Sequence, residues 1–443
     1  MKKKFQFIAI LFSVCISIFS TAQTRKEILT IDQLIKIGLD SSKALHLSDA
    51  KLQLAKAKYD QALDAVLPSV KLNAGYTRLS EIDPPKFLFP GSSTPVALFP
   101  VYVNNYSVSL SASETIFSGF RLKYAKESTN LLQQAAKFDF NKDKEEIIFN
   151  LINAYFNIYK LTASEKVVEE NIKQINERVR VTQRAMDNGL ATQNDVLRWQ
   201  LQSSNLELTQ LDIQNNLQVA NYNLKLLLGY DDSRQLEIDT NEVNTIRNTT
   251  DIQSYLDLAA KNRNDLNAAI IRSNASYNNY KIAKNSYLPR ISIQGEALDA
   301  RPNQRFIPPV DKFNSTWAAG ISLNWDLMNL YSNRHNVDEF QSYYDQSKIG
   351  VSIMSDAIKI EVNQNFLAYN QSLKKVEVMV KSVQQAQENF RLTDSRYKNN
   401  LVILSELLEA NNIIVQSQIN LEIAKADVQI AYYRLLKSSG NIK

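Results

Sequence analysis

Residues 121–187 read RLKYAKESTNLLQQAAKFDFNKDKEEIIFNLINAYFNIYKLTASEKVVEENIKQINERVRVTQRAMD, with no proline or glycine among them. Proline inside a helix costs about 3 kcal/mol or more, and glycine roughly 1 kcal/mol relative to alanine. This stretch is therefore free to run as one helix, roughly 100 Å long at 1.5 Å per residue. No small globule can enclose such a rod. Within it Val168, Ile172, Ile175, Val179, Thr182 and Met186 step by four and three, the spacing of a coiled-coil seam.

Downstream, the stretch ends at Asn188-Gly189-Leu190, and a second helix period begins near Gln193. Glycine tolerates the left-handed conformation that ends a helix, and asparagine is next best. The expected unit is an antiparallel coiled-coil hairpin over 120–228, with Leu197, Leu201, Leu208 and Leu211 as the return helix's matching seam.

The same pattern recurs 211 residues later. Asn188-Gly189-Leu190 becomes Asn399-Asn400-Leu401; Glu177, Arg180 and Thr182 become Glu388, Arg391 and Thr393; Gly229 becomes Gly440. The seam recurs as Met379, Val383, Ala386, Phe390, Thr393 and Tyr397, within a second hairpin expected over 330–439. Upstream, Leu67-Pro68 recurs as Leu288-Pro289 at an offset of 221. The extra ten residues fall in a loop, where insertions are tolerated. The chain is a tandem repeat, expected as 23–229, opening with a helix over 31–66, and 252–443, about a polar linker, 230–251.

All ten prolines lie in 68–100 and 289–309. In these windows the period changes to two. Tyr106, Val108, Leu110 and Ala112 alternate with Asn105, Ser107, Ser109 and Ser111. Strands are expected at 69–79, 105–116, 290–298 and 314–326, joined by proline-rich loops, Glu81–Val103 and Asp299–Phe313, that carry Phe87, Phe89, Phe99, Tyr102 and Phe306. The alternation fits a transmembrane barrel strand and equally a half-buried soluble sheet. Four strands cannot close a barrel, since bacterial outer-membrane barrels have at least about eight. An open edge is not viable in lipid, so a membrane reading requires several chains to pool their strands.

Lys2, Lys3 and Lys4 precede an apolar run, Phe5–Phe19, and Ser20-Thr21-Ala22. This is the pattern of a secretory signal peptide cut after Ala22. The only cysteine, Cys15, lies inside it, and Val14 stands where a lipoprotein signal needs a small residue. No disulfide or thiol chemistry is expected. Without its three signal lysines the chain is nearly neutral, with 51 basic and 46 acidic residues in all, so nucleic acid is not an expected partner. His46 and His335 stand alone, and no phosphate loop or nucleophile motif is present. No catalytic residue, cofactor or metal site is expected.

Taken together, the signal, the repeat, the strand pairs and the hairpins resemble the TolC-type outer-membrane factor family over nearly the whole chain. The marks are Leu67-Pro68, Leu288-Pro289, and Asn188-Gly189-Leu190-Ala191-Thr192 followed by Asp195-Val196. The resemblance implies a mainly α fold with β: coiled-coil helical hairpins and four transmembrane strands per chain. A homotrimer would pool them into a twelve-stranded barrel above an α-helical periplasmic tunnel.

It further implies a passive export conduit, with a periplasmic adaptor, an inner-membrane pump and outer-membrane lipid as partners. The adaptor would contact the tips Asn188, Gly189, Leu190, Asn399, Asn400 and Leu401. Tyr397 and Asp195 match the family's entrance latch, with the Tyr397 hydroxyl bonded to Asp195, while Val402 occupies the arginine's position. Glu406 and Glu409 match its acidic rings and lie three apart on one helix face. A periplasmic adaptor, which uses a single hairpin between compact β domains, and a fibrous coiled coil are the alternatives.

Overall fold

The computed structural model describes residues 27–97, 99–231, 236–239, 243 and 251–442. The expected signal segment and much of the linker lie outside them. In order, the elements that matter are β1 (Glu27–Leu29), α1 (Ile31–Ser41), α2 (Lys43–Asp64), β2 (Ser69–Arg78), β3 (Lys86–Phe87), β4 (Val96–Ala97) and β5 (Asn104–Phe117). The first hairpin, α3 (Arg121–Asp187) and α4 (Gln193–Leu228), comes next, followed by β6 (Leu236–Ile238), α5 (Ile252–Asn262) and α6 (Asn264–Lys284). The chain then forms β7 (Arg290–Arg301), β8 (Asn314–Asn324), a single turn α7 (Asn329–Ser332), and the second hairpin, α8 (Arg334–Lys398) and α9 (Leu404–Ser438).

Two compact units emerge, and neither is one sequence repeat. One gathers the described residues of Met1–Ser48, Phe140–Asn264 and Ser355–Lys443; the other holds Asp49–Asp139 and Asp265–Met354.

The second unit carries the four-stranded sheet, in the order β2-β5-β7-β8 and antiparallel throughout. Register aligns like with like. Ser69, Ser113, Gln294 and Gly320 form one row across the sheet, and Leu72, Leu110, Ala297 and Trp317 form another. One face is thus hydroxyl-rich and small, the other apolar. Among the described residues nothing covers the apolar face: Leu72, Trp317 and Ile321 are 71%, 74% and 75% exposed. β2 and β8 are the sheet's edges. β7 runs three residues past its expected end because Asp299, Ala300 and Arg301 still pair with Val108, Ser107 and Tyr106. β8 stops at Asn324, opposite Arg290. β3 and β4 form a small ladder inside the first loop.

The helices of this unit meet through small polar side chains. Ser128 Oγ donates to Asn279 Oδ1 at 2.9 Å, Ser273 and Ser347 hydroxyls lie 2.9 Å apart, and Arg272 pairs with Asp139.

In the first unit α3 and α9 lie antiparallel. Tyr159 donates to Glu422 at 2.8 Å, and Asn171 and Asn411 exchange amide bonds at 3.3 and 3.5 Å. As the number rises on one helix it falls on the other. Ile148, Ile152, Tyr155 and Phe156 share a buried cluster with Leu224, Leu228, Ala426 and Ile430. Gly38 allows α1 to approach, since a Cβ there would meet Leu151 Cδ1 at 2.5 Å.

Three expectations need correction. The first helix, expected over 31–66, breaks at Ser42, which has extended backbone (φ −66°, ψ 111°); its hydroxyl accepts the Leu45 amide at 3.2 Å. The linker is not merely a polar connection. β6 pairs in parallel with β1, and Leu236 and Val243 are buried in the cluster. Finally, Leu197, Leu201, Leu208 and Leu211 point outward, and Val196, Trp199, Gln202, Ser203 and Leu206 face inward instead. Both stripes along α4 have helical spacing, and the buried one follows the bulky Trp199.

Candidate functional site: the hairpin tips

The two tips share a geometry down to single hydrogen bonds. At the first, Leu190 N–H donates to Ala185 O at 2.8 Å and Gly189 N–H to Met186 O at 2.8 Å. At the second, Leu401 N–H donates to Arg396 O at 2.9 Å and Asn400 N–H to Tyr397 O at 3.0 Å. This pair of bonds is the Schellman motif, and it needs a left-handed residue after the helix. Gly189 has φ 75° and Asn400 φ 56°. Asn188 and Asn399 reach back to Arg184 O and Ser395 O, each at 2.8 Å. Even the exposed pairs repeat, Glu177–Arg180 at 2.8 Å and Glu388–Arg391 at 2.7 Å. These bonds hold both tip loops, which present Leu190 and Leu401 to solvent at 83% and 67% exposure.

The return helices start differently. Thr192 caps α4: its hydroxyl accepts the Asp195 amide at 3.2 Å, and Asp195 Oδ2 accepts the Thr192 amide at 3.0 Å and hydroxyl at 2.7 Å. This is a capping box with aspartate in the third position. The Thr192 hydroxyl, then its amide, hold the Asp195 carboxyl below the usual carboxylate range. The repeat equivalent of Thr192 is Ile403, which caps α9 with no side-chain bond. Glu406 stands where Asp195 stands in the first repeat. Glu406 and Glu409 are exposed on the first turns of α9, and Leu404 and Leu407 are buried beside them.

Tyr397 is half-buried in a cluster with Val168, Ile175, Trp199, Leu206, Leu404 and Leu407. Burial, then the Asp195 carboxylate, push its phenol up, and Arg178 pulls it back. Asp195 and Tyr397 are therefore electrostatic neighbours, although the Asp195 oxygen is bonded to Thr192. Val402 is half-buried.

Three residues not singled out by sequence complete the cluster. Arg178 Nη2 meets Asp394 Oδ1 at 2.7 Å, and Lys398 Nζ meets Asp394 Oδ2 at 2.8 Å. Arg178 lies on α3 and Asp394 on α8, so this pair ties one hairpin to the other. The repeat held a signal for it, because the equivalent positions are Asn389 and Gln183.

What the tip can do follows from these contacts. It offers two exposed apolar knobs, an acidic pair on an exposed helix face, and a charged and aromatic tie between hairpins. No group of three or more histidine, cysteine, aspartate or glutamate side chains suited to a metal occurs among the described residues.

The chain can now be set beside known proteins. It is 20% identical over 327 residues to the toxin and drug export protein A of Aggregatibacter actinomycetemcomitans, covering 73% of this chain and 70% of that one. Among solved structures, VceC, the outer membrane protein of Vibrio cholerae, superposes with a TM-score of 0.77 at 18% identity, covering 93% of this chain and 96% of that one. The open state of the Neisseria gonorrhoeae MtrE outer membrane channel gives 0.73 at 16% identity, with 93% and 89% covered. At such identities these structures bear on the fold. The family model of the outer membrane efflux proteins matches residues 34–230 and 255–441, two segments that divide at the linker. With most of its length matched, the chain belongs to the outer membrane efflux protein family.

Proposed function

We propose that this chain is the outer-membrane channel of a tripartite efflux or type I secretion assembly, and that it works as a trimer. The sheet is the observation that carries the reading. It has four antiparallel strands and, among the described residues, two edges without a strand partner and an apolar face that nothing covers. Lipid tolerates strands only in closed barrels. Three copies would pool twelve strands, pairing each β8 with a neighbour's β2, with the apolar face toward lipid and the serine-rich face toward water.

The helical hairpins extend this conduit into the periplasm, and their tips form its entrance. Asn188, Gly189, Leu190, Asn399, Asn400 and Leu401 receive the periplasmic adaptor, through which an inner-membrane pump delivers cargo. Glu406 and Glu409 from three copies would gather six carboxylates at the entrance and favour cations. Tyr397, with Asp195 beside it, helps keep the entrance closed. The cargo class follows the pump, and the relative named for toxin and drug export makes drugs and polypeptides the first to test. A periplasmic adaptor or a fibrous rod would have no use for an exposed amphipathic sheet.

The test is to purify the chain in detergent, measure its mass by light scattering, and reconstitute it in planar bilayers. A trimer with discrete ion-conducting steps is expected. A monomer that leaves the bilayer silent contradicts the proposal.

A further inference from the structure

β8 passes its apolar face on beyond the last ladder pair. Trp317, Ile321 and Leu323 lie on the face opposite Thr316, Ser322 and Asn324. Side chains alternate along a strand, and the same alternation leads to Trp325 and Leu327. The Trp325 ring nitrogen donates to Tyr287 O at 3.0 Å, so its polar end is satisfied against the chain. Asp326 Oδ1 then accepts the Met328 amide at 3.0 Å. One helical turn follows, with Leu330 N–H donating to Leu327 O at 3.2 Å and Tyr331 N–H to Met328 O at 3.0 Å.

Leu327, Met328, Leu330 and Tyr331 all face solvent on this turn, and Tyr331, at 85%, is the most exposed large hydrophobic residue among those described. Arg334 and His335 come next and are also exposed. The nearest acid to Arg334 is Asp338, at 3.9 Å. The first repeat has no equivalent turn. There α3 begins at Arg121, directly after Gly119 and Phe120, which both have φ 63°, and Phe120 packs edge-on against Phe117 at 5.5 Å.

We propose that residues 325–331 are a membrane-surface anchor, seated in the headgroup–acyl boundary on the side of the bilayer where the helices begin. The proposal rests on the outer-membrane channel reading above. Three observations select lipid as the occupant. The patch continues the apolar face of the sheet without interruption. Its composition of tryptophan, tyrosine and aliphatic residues is that of membrane–water interfaces. The basic residues that follow would meet lipid phosphates, as in interfacial helices. A second copy of the chain would instead approach β8 in the hydrogen-bonding direction, along its edge. The anchor turn sits in only one repeat, so three copies would hold the bilayer at three points.

The experiment uses spin labels on single cysteines in a Cys15→Ala background, with the protein in vesicles of phosphatidylethanolamine and phosphatidylglycerol. The sites are Ile321→Cys on the sheet face, Tyr331→Cys on the turn and Asp338→Cys on the helix. Collisions with oxygen and with a water-soluble nickel chelate report depth. The Tyr331→Cys label should favour oxygen over nickel, at a depth between the other two. A label there as open to nickel as Asp338→Cys would overturn the anchor. So would a label closed to both reagents, which would identify a second copy as the cover. If Ile321→Cys itself favours nickel, the membrane reading fails first, and the anchor with it.

Discussion

Arg178 on the first hairpin and Asp394 on the second hold each other at 2.7 Å, and the side chains are 31% and 15% exposed. Opposite charges at this depth are worth more than a surface pair but less than a fully desolvated one. Arg178→Ala or Asp394→Ala should each weaken the tie between hairpins by about 1–2 kcal/mol and raise the basal conductance of the reconstituted channel. The double variant should add little to either single one, because both remove the same contact. Additive effects in single-channel recordings would show that the pair does not act as a unit.

Tyr397→Phe keeps the ring in its cluster and removes only the hydroxyl. Ion leakage should rise if that hydroxyl helps to hold the entrance closed. Conductance equal to that of the parent would assign Tyr397 to packing alone. The raised phenol stays protonated through the physiological range, so no change in leak from this group is expected until the pH passes the ordinary tyrosine value of about 10.

The asymmetry of the caps gives a local stability prediction. Thr192→Ala removes the hydroxyl that accepts the Asp195 amide and should cost the start of α4 about 1 kcal/mol. Ile403→Ser should gain a similar amount at the start of α9. Hydrogen exchange of the first-turn amides reads both, and unchanged protection in either variant would contradict the capping account. The Asp195 carboxyl is depressed, so its contribution is present above the unfolded value of about 3.9. It is lost as pH falls through the lower folded value, and protection near Thr192 should fall only in strong acid.

Glu406→Gln with Glu409→Gln removes the acidic pair from the exposed face of α9. Cation selectivity, read as a reversal potential across a salt gradient, should shrink. A reversal potential that does not move would place both side chains away from the ion path.

Much of this architecture is a consequence of local chemistry. The long helices follow from the missing proline and glycine, and both tips from residues that accept a left-handed backbone. The strands follow from a period of two, which covalent geometry alone imposes on alternating side chains. The candidate tip residues were legible for the same reason, since the repeat doubles every mark. The chain could also declare that its strands needed partners, because four strands do not close.

What lay beyond the sequence depends on which surfaces meet. On α4 two stripes have helical spacing, and only packing against Val168, Ile175, Leu404 and Leu407 selects Trp199 and Leu206 over Leu197 and Leu201. The break at Ser42 carries no proline or glycine to announce it, yet it separates α1, whose Leu34 is fully buried in the cluster, from α2. β1 and β6 are three residues each, too short for a period to show, and they exist because they pair with each other. Arg178 and Asp394 stand 216 residues apart, and nothing near either one names the other. Period, length and turn are properties of adjacent residues, so the sequence by itself determined them. The facing of each stripe and the partner of each charge belong to the packed chain, where burial of the largest apolar groups and pairing of the part-buried charges decide between arrangements that are locally equal.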